Sequence, residues 1–463
     1  GVGNSALSAV TTHYDNVAVG TSAMGGATAN QCVAMGHSAL NLSTGANNTA
    51  VGNRALAQNT SGTENTAVGS FALDANTTAN YITAIGYNCL SNNTTGSNNT
   101  GVGRSALLAN VTGNNNTALG FNALILSTGS SNTGLGTSTL QSNTSGNDNT
   151  AVGRNALAAN TTGGQNIAVG ALALDANTTA SNNTAVGYNS LGANTTGTNN
   201  VAVGARALDS NTSGFSLTAI GDNALTANTT ANYNTAVGRN ALLANVTGTQ
   251  NTALGTQTLA SNTTASNNTA VGMSALAANT TGAQNTAVGG LCLDALTTAD
   301  YNTAMGYFTA TALTTGGFNT IVGGNALQVA ETANNNVAVG YNALNQTTTG
   351  TGNVAVGFAA LDANTSGTLN TALGNNALTS ATTASRLVAV GNGALQNCTT
   401  GADNNALGHG SLNAVTTGGF NTALGHSAAD SLTTGSSNVA VGHTALDSCE
   451  AGSFNLAIGR GAL

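Results

Sequence analysis

A glycine recurs at nearly constant spacing from one end of this chain to the other. It occurs 28 times between Gly3 and Gly459, and of the 27 intervals 24 are 17 residues long and three are 16. No single hydrophobic core imposes such a period, but a stack of equal units that contact only their neighbours does. The spacing therefore predicts one repeat array over residues 1–463. Because both ends fall inside a unit, we expect the array to be a segment of a longer protein.

Each unit contains two short apolar runs. Counting the glycine as position 0, position +4 is Leu in 25 of the 28 units, and the residue before the glycine is always aliphatic. The apolar residues do not follow the spacing of a helix, and runs bounded by Gly, Asn and Thr are typical of strands. We therefore expect an all-β parallel β-solenoid of 28 short coils, with two strands per coil and both large apolar side chains buried.

The glycine and the asparagines each have a physical role in this scheme. Glycine at position 0 suits a positive φ or a close backbone approach, both of which exclude a Cβ atom. Asn recurs at positions +7 and +13, where stacked amides can bond along the axis and satisfy turn groups. Two of the short intervals contain Ser-Thr-Gly at 43–45 and 127–129 in place of Asn-Thr-Thr-Gly. We expect the deleted residue to come from a turn, with the strands intact.

The composition excludes several partners. Charged residues make up 5% of the chain, the net charge is −8, and all seven basic residues are Arg. A nucleic-acid partner would require a basic face, and attachment to an acidic membrane would require a polybasic patch. No apolar run is long enough to span a bilayer, so we expect no direct membrane insertion in this segment. A neutral polar surface favours an extracellular, cell-surface or virion-surface location.

The motif at 199–204, Asn-Asn-Val-Ala-Val-Gly, and that at 437–442, Ser-Asn-Val-Ala-Val-Gly, resemble the head repeats of YadA-like trimeric autotransporter adhesins. The 17-residue array is also similar to repeats of phage tail-fibre-like proteins. The resemblance implies a trimeric, left-handed parallel β-roll that serves in adhesion. Two large apolar residues per unit give a thin core for a lone chain, since ordering each residue costs about 1–2 kcal/mol of backbone entropy. This argument also favours association of identical chains, as a homotrimer or filament.

Position +1 is the candidate contact column, because it varies most in size and charge. We predict that its larger residues face outward and meet a cell-surface or glycan receptor or another chain. Three consecutive histidines there should stack, but the variety at this position favours contact over metal binding. The candidate residues of this outward column are His409, His426, His443, Tyr87, Tyr188, Tyr307 and Tyr341.

Catalytic, cofactor and metal sites are not indicated. No paired carboxylates, nucleophile triad or phosphate loop recurs, and the acidic residues appear too sparse and unaligned for a calcium-binding repeat. The five scattered cysteines are interpreted as free, small residues. Asn-x-Thr/Ser triplets, such as those beginning at Asn59, Asn110 and Asn279, are explained by the turn, with glycosylation left open. The sequence thus predicts the structural shaft of an extracellular, adhesive fibre. A phage tail-fibre shaft and an ice-binding β-solenoid remain alternatives.

Overall fold

The computed structural model describes residues 1–463 in two compact units, Gly1–Tyr233 and Asn234–Leu463. Each unit is a parallel β-solenoid in which every coil contributes one strand of three residues. Unit 1 contains β1 Val17–Val19, β2 Val33–Met35, β3 Thr49–Val51, β4 Thr66–Val68, β5 Thr83–Ile85, β6 Thr100–Val102, β7 Thr117–Leu119, β8 Thr133–Leu135, β9 Thr150–Val152, β10 Ile167–Val169, β11 Thr184–Val186, β12 Val201–Val203 and β13 Thr218–Ile220.

Unit 2 contains β14 Thr235–Val237, β15 Thr252–Leu254, β16 Thr269–Val271, β17 Thr286–Val288, β18 Thr303–Met305, β19 Thr320–Val322, β20 Val337–Val339, β21 Val354–Val356, β22 Thr371–Leu373, β23 Val388–Val390, β24 Asn405–Leu407, β25 Thr422–Leu424, β26 Val439–Val441 and β27 Leu456–Ile458. Within each unit consecutive strands pair in parallel register, as in Ala168↔Ala185. The 28 predicted coils yield 27 strands, because the first glycine is preceded only by an isolated bridge between Val2 and Val19.

The predicted second strand of each coil is wrong. The Ala-Leu run is a turn in which positions +2 and +4 both have positive φ, as in Asn155 at 58° and Leu157 at 52°. The amide of Leu157 still donates to the next coil, to the carbonyl of Ala173 at 2.9 Å. Left-handed backbone is costly for Leu, but here it turns the side chain into the interior, where Leu157 is fully buried.

The second correction concerns the aliphatic residue before the glycine, which faces outward. In β7, the middle residue Ala118 is fully buried, whereas Leu119 is 50% exposed. Alternate residues of a strand face opposite sides, so Thr and Val share the outer face and Ala packs inside. The large apolar part of the interior is therefore supplied mainly by Leu at position +4.

At two places in the interior a change in the size of one side chain accompanies an opposite change in the residue that faces it. Where Cys89 replaces Ala at position +3, the facing residue of the next coil is Gly101, and a Cβ there would lie 2.6 Å from Cys89 Sγ. Where Ala310 replaces Leu at position +4, the equivalent facing position holds Ile321 in place of Ala. Both Ala310 and Ile321 are fully buried. Close packing of the interior explains why one change in size accompanies another.

The glycine column is confirmed in both proposed roles. Its 28 members have φ between 120° and 144°, a region that residues with a Cβ rarely adopt. A Cβ on Gly20 would also lie 2.6 Å from the carbonyl oxygen of Gly36 in the next coil. The column therefore sets how closely successive coils can stack.

Two ladders of buried asparagine fill the remainder of the interior. At position +7, Asn160 Nδ2 donates to Asn143 Oδ1 at 2.8 Å and to the Gly163 carbonyl at 2.9 Å, and its Oδ1 accepts from Asn177 Nδ2 at 2.9 Å. At position +13, Asn166 Oδ1 accepts from the backbone amide of the next ladder residue, Asn183, at 3.0 Å. Stacked amides satisfy both each other and the turns, as predicted.

The shortened coils preserve this arrangement. Ser43 and Ser127 take the place of the +7 asparagine, and both are fully buried. Asn59 Nδ2 donates to Ser43 Oγ at 2.8 Å, and Asn143 Nδ2 donates to Ser127 Oγ at 3.1 Å. The strands that follow keep three residues, so the deletion lies in the turn.

Candidate functional site

Each of the two compact units presents a narrow uncharged strip along the outer face of its sheet. The last residue of every strand is Val, Leu, Ile or Met, and the first is Thr in 17 strands, aliphatic in nine and Asn in one. The last residues of successive strands form a row that we call the aliphatic rank. Within it, Val19 is 37% exposed, Leu119 50% and Leu254 48%. We call these two outward ranks the sheet strip. The strip was not predicted from the sequence, because the aliphatic residue before the glycine was expected to be buried.

The sheet strip is long relative to its width. The 13 strands of unit 1, at ~4.8 Å each, extend it over about 60 Å, and its two ranks lie ~7 Å apart. Allowing for the width of the side chains, the strip covers roughly 600 Å², shared between the apolar rank and the rank that is mostly Thr. In unit 2 part of it forms a groove of about 230 Å³ lined by Val388, Leu407 and Leu424.

The predicted outward column at position +1 is exposed. Its four tyrosines are 48–61% exposed, and the three histidines are also exposed. The rings of His409 and His426 stack at 5.0 Å, and those of His426 and His443 at 5.1 Å, with 9° between the planes in each case. In face-to-face rings the in-plane nitrogen lone pairs run parallel and do not converge on one point. No group of three or more His, Cys, Asp or Glu side chains is arranged to hold a metal ion.

Two arginines and three aromatic rings lie in contact over five consecutive coils of unit 1. The Arg54 guanidinium lies 5.8 Å from the Phe71 ring, and Phe71 meets Tyr87 edge to face at 6.3 Å. Arg104 then lies between two rings, 5.9 Å from Tyr87 and 5.8 Å from Phe121. We call these five residues the Arg–aromatic ladder. Only Tyr87 was singled out from the sequence; the ladder emerges once positions +1 and +2 of successive coils are in register.

Acidic residues have an alignment that the sequence analysis overlooked. Seven of the 15 occupy position +5: Asp74, Asp175, Asp209, Asp294, Asp362, Asp430 and Asp447. Two of them contact position +2 of the preceding coil: Asp74 Oδ2 pairs with Arg54 Nη2 at 3.2 Å, and Asp209 Oδ1 accepts from Asn189 Nδ2. Partial burial raises the pKa of five of them, Asp175, Asp209, Asp294, Asp362 and Asp430. Their recurrence at one repeat position was the signal that could have revealed them.

The cysteines are free, and their burial gives a testable order of reactivity. Burial raises the pKa of the Cys89 and Cys292 thiols to about 12 and that of Cys398 to about 11, whereas Cys449 is only half-buried. The thiolate is the nucleophile, so iodoacetamide at pH 8 is expected to alkylate Cys449 first in the native protein. Peptide mapping by mass spectrometry checks this order. Equal rates at Cys89 and Cys449 without denaturant would contradict it, and urea should expose both.

The Asn-x-Thr/Ser triplets at Asn59, Asn110 and Asn279 are inaccessible in the folded chain, because each of these asparagines is fully buried. The structure contains no helical segment with the length and hydrophobicity required to cross a membrane. No protein-family model matches the chain, and comparison with curated proteins finds no relative.

Proposed function

We propose that this chain is the structural shaft of an extracellular, adhesive fibre, assembled as a homotrimer through the sheet strip. The observation that carries the proposal is the unbroken aliphatic rank on the outside of every strand. A lone chain would leave this rank in water, whereas association would remove it at a gain of about 25 cal/mol per Å² of apolar area. Neither rank contains a charged residue, so burial of the strip would leave no buried charge without a partner.

Cyclic symmetry around an axis parallel to the strand stack suits this interface. It would place three identical strips against one another with the coils of all chains at the same levels. All chains would then run in the same direction, as a shaft anchored at one end requires. The resemblance to YadA-like adhesins also supports a trimer, and the one to phage tail-fibre-like arrays supports a shaft on a virion as an alternative setting.

Charge placed in the sheet strip tests the interface. Val152→Lys, Val169→Lys and Val186→Lys together are expected to weaken association at least tenfold, because burying unpaired charges costs several kcal/mol. Sedimentation velocity over a concentration series measures the effect, and circular dichroism checks that the strands persist, since these positions are partly exposed.

The matched control carries the same three charges at position +9, in the exposed turn outside the sheet strip. Thr162→Lys, Thr179→Lys and Thr196→Lys replace exposed residues, so this variant should assemble like the parent chain. If both triple variants assemble normally, the sheet strip is not the interface.

One observation favours a second function, ice binding. Seven consecutive strands of unit 1, β3 to β9, begin with an outward-facing Thr in register with the next. A regular grid of hydroxyl and methyl groups can hold ordered water. Thermal hysteresis that grows with protein concentration would support ice binding, and its absence at high concentration would reject it. The Thr column at position +8 does not contribute, because those hydroxyls donate to the next coil, as Thr60 does to the Thr77 carbonyl at 2.8 Å.

A further inference from the structure

The Arg–aromatic ladder is the most chemically distinctive surface of a chain that is otherwise poor in charge and aromatics. Two of the seven arginines and three of the 16 Phe and Tyr residues lie within it. Asp74 holds Arg54 in place through a two-point contact, with Nε to Oδ1 at 3.4 Å and Nη2 to Oδ2 at 3.2 Å. Arg104 is exposed, and its contacts across the ladder are to the faces of Tyr87 and Phe121. The ladder with Asp74 therefore carries one net positive charge.

A surface cavity of about 370 Å³ adjoins Arg54 at the N-terminal end of the ladder. Its lining includes the imidazole of His37, the guanidinium of Arg54 and the side-chain amides of Asn41 and Gln58. No acidic side chain lines it. The lining thus offers amides and an imidazole that can donate to or accept from hydroxyl groups, while its Arg54 guanidinium is already paired with Asp74.

We propose that the cavity and the Arg–aromatic ladder together bind a carboxylated oligosaccharide. The carboxylate of one sugar contacts Arg104, whose guanidinium is paired with no carboxylate, and the neighbouring sugar rings lie against Phe71, Tyr87 and Phe121. A sugar ring has an apolar C–H face that packs on an aromatic ring and hydroxyl groups that bond to neighbouring amides. Phe71 and Tyr87 lie one coil apart and Tyr87 and Phe121 two coils apart, at about 4.8 Å per coil along the stacking direction, which is close to the advance per sugar in an extended chain.

The charge distribution argues against a nucleic-acid strand at the same surface. Binding of nucleic acid depends on several simultaneous phosphate contacts, whereas this site has two arginines, one of them already paired with Asp74. A single acidic sugar needs only one guanidinium. This inference rests on the adhesive role proposed above and names its ligand class.

Isothermal titration with two matched probes tests the site on the assembled protein. The first probe is hexagalacturonate, and the second is the same hexamer with every carboxylate methyl-esterified. The protein is expected to bind the acid form at least tenfold more tightly, with the ester retaining weak binding through ring contacts. Failure to bind the acid hexamer at millimolar concentration, or equal affinity for both probes, would overturn the proposal.

Variants then separate charge from stacking. Arg104→Gln should remove the preference for the acid form without changing affinity for the ester, whereas Tyr87→Ser with Phe121→Ser should weaken both probes at least fivefold. Tyr307→Ser is the control, since Tyr307 occupies the same repeat position in unit 2 and is 61% exposed. An equal loss in this control would show that binding is not at the ladder and would overturn the site.

Sedimentation of the same samples distinguishes this proposal from the assembly proposal. Normal assembly with no selective binding refutes only the oligosaccharide site. Selective binding by a chain that remains monomeric refutes the trimer and leaves the oligosaccharide site standing.

Discussion

Replacing Gly323 with alanine is expected to open the solenoid around β19 and β20. Gly323 has φ of 137°, and an added Cβ would lie 2.6 Å from the carbonyl carbon of Gly340 in the next coil. The backbone strain alone costs about 1–3 kcal/mol, and separation of the coils breaks hydrogen bonds on both sides. We expect a total loss of about 3 kcal/mol or more in local stability.

The neighbouring residue provides a matched control. A Cβ on Gly324 would make only ordinary van der Waals contacts, 3.5 Å from the Tyr341 ring and 3.7 Å from the Tyr307 carbonyl oxygen, and the φ of Gly324 is not positive. Gly324→Ala should therefore be neutral or slightly stabilising, because it restricts the unfolded chain. Amide hydrogen exchange in Thr320–Val322 and Val337–Val339 measures both effects. Equal protection in the two variants would refute the steric role of the glycine column.

Asn160→Asp is expected to have the second large effect. Asn160 Nδ2 makes two donations, to Asn143 Oδ1 and the Gly163 carbonyl, which a carboxylate cannot make. The charge would also be fully buried among acceptors. We expect a loss of about 3–5 kcal/mol at neutral pH, the range found for uncompensated buried charges.

This loss should depend on pH. Burial raises the pKa of the new carboxyl in the folded state above its unfolded value of about 4. Because the folded state then binds more protons, the destabilisation is smallest below about pH 4. The destabilisation grows as the pH rises from about 4 through the pKa of this carboxyl in the folded state. Urea unfolding from pH 3 to pH 8 checks the direction.

The Asn160→Leu variant separates the effect of the buried charge on stability from the effect of the lost hydrogen bonds. Leu already occupies this position at Leu296 and Leu313, where it is fully buried. In the coil of Asn160, however, a leucine would leave the amide of Asn177 and the oxygen of Asn143 without their ladder partners. Its cost should be smaller than that of Asp and independent of pH. A similar pH dependence in both variants would contradict the argument.

The ends of the ladder illustrate the same rule in the native chain. Asn279 is the last asparagine before Leu296, and its Oδ1 is buried with no hydrogen-bond partner. Asn110, followed by Ser127, and Asn364, followed by Ala381, also end their runs with an unsatisfied Oδ1. Each amide group in the ladder donates to the preceding coil, so the acceptor of the last member has no donor above it.

The sequence predicted the features that depend on a single residue type. Only glycine fits position 0, and only a side chain with both donor and acceptor can propagate a ladder, so these columns were identified correctly. The second strand was wrong because Leu has no preference for left-handed backbone. No residue in or beside the Ala-Leu run indicates the turn that burial of Leu157 imposes.

Which face of each three-residue strand lies inside the solenoid could not be derived from the residue pattern alone. Thr-Ala-Val places Thr and Val on one face and Ala on the other, and either face could be internal. Leu at position +4 and the asparagine ladders fill the interior, which leaves room only for Ala. The Arg–aromatic ladder was missed for a related reason, because Phe71 at position +2 meets Tyr87 at position +1 only across coils.

The mass of the 463-residue chain in solution tests the central claim most directly. Sedimentation equilibrium is expected to give three times the 44.7 kDa mass of one chain, with dissociation only in the variant charged on the sheet strip. A mass of 44.7 kDa at all concentrations would show that the aliphatic rank remains in water and would contradict the proposed trimeric shaft.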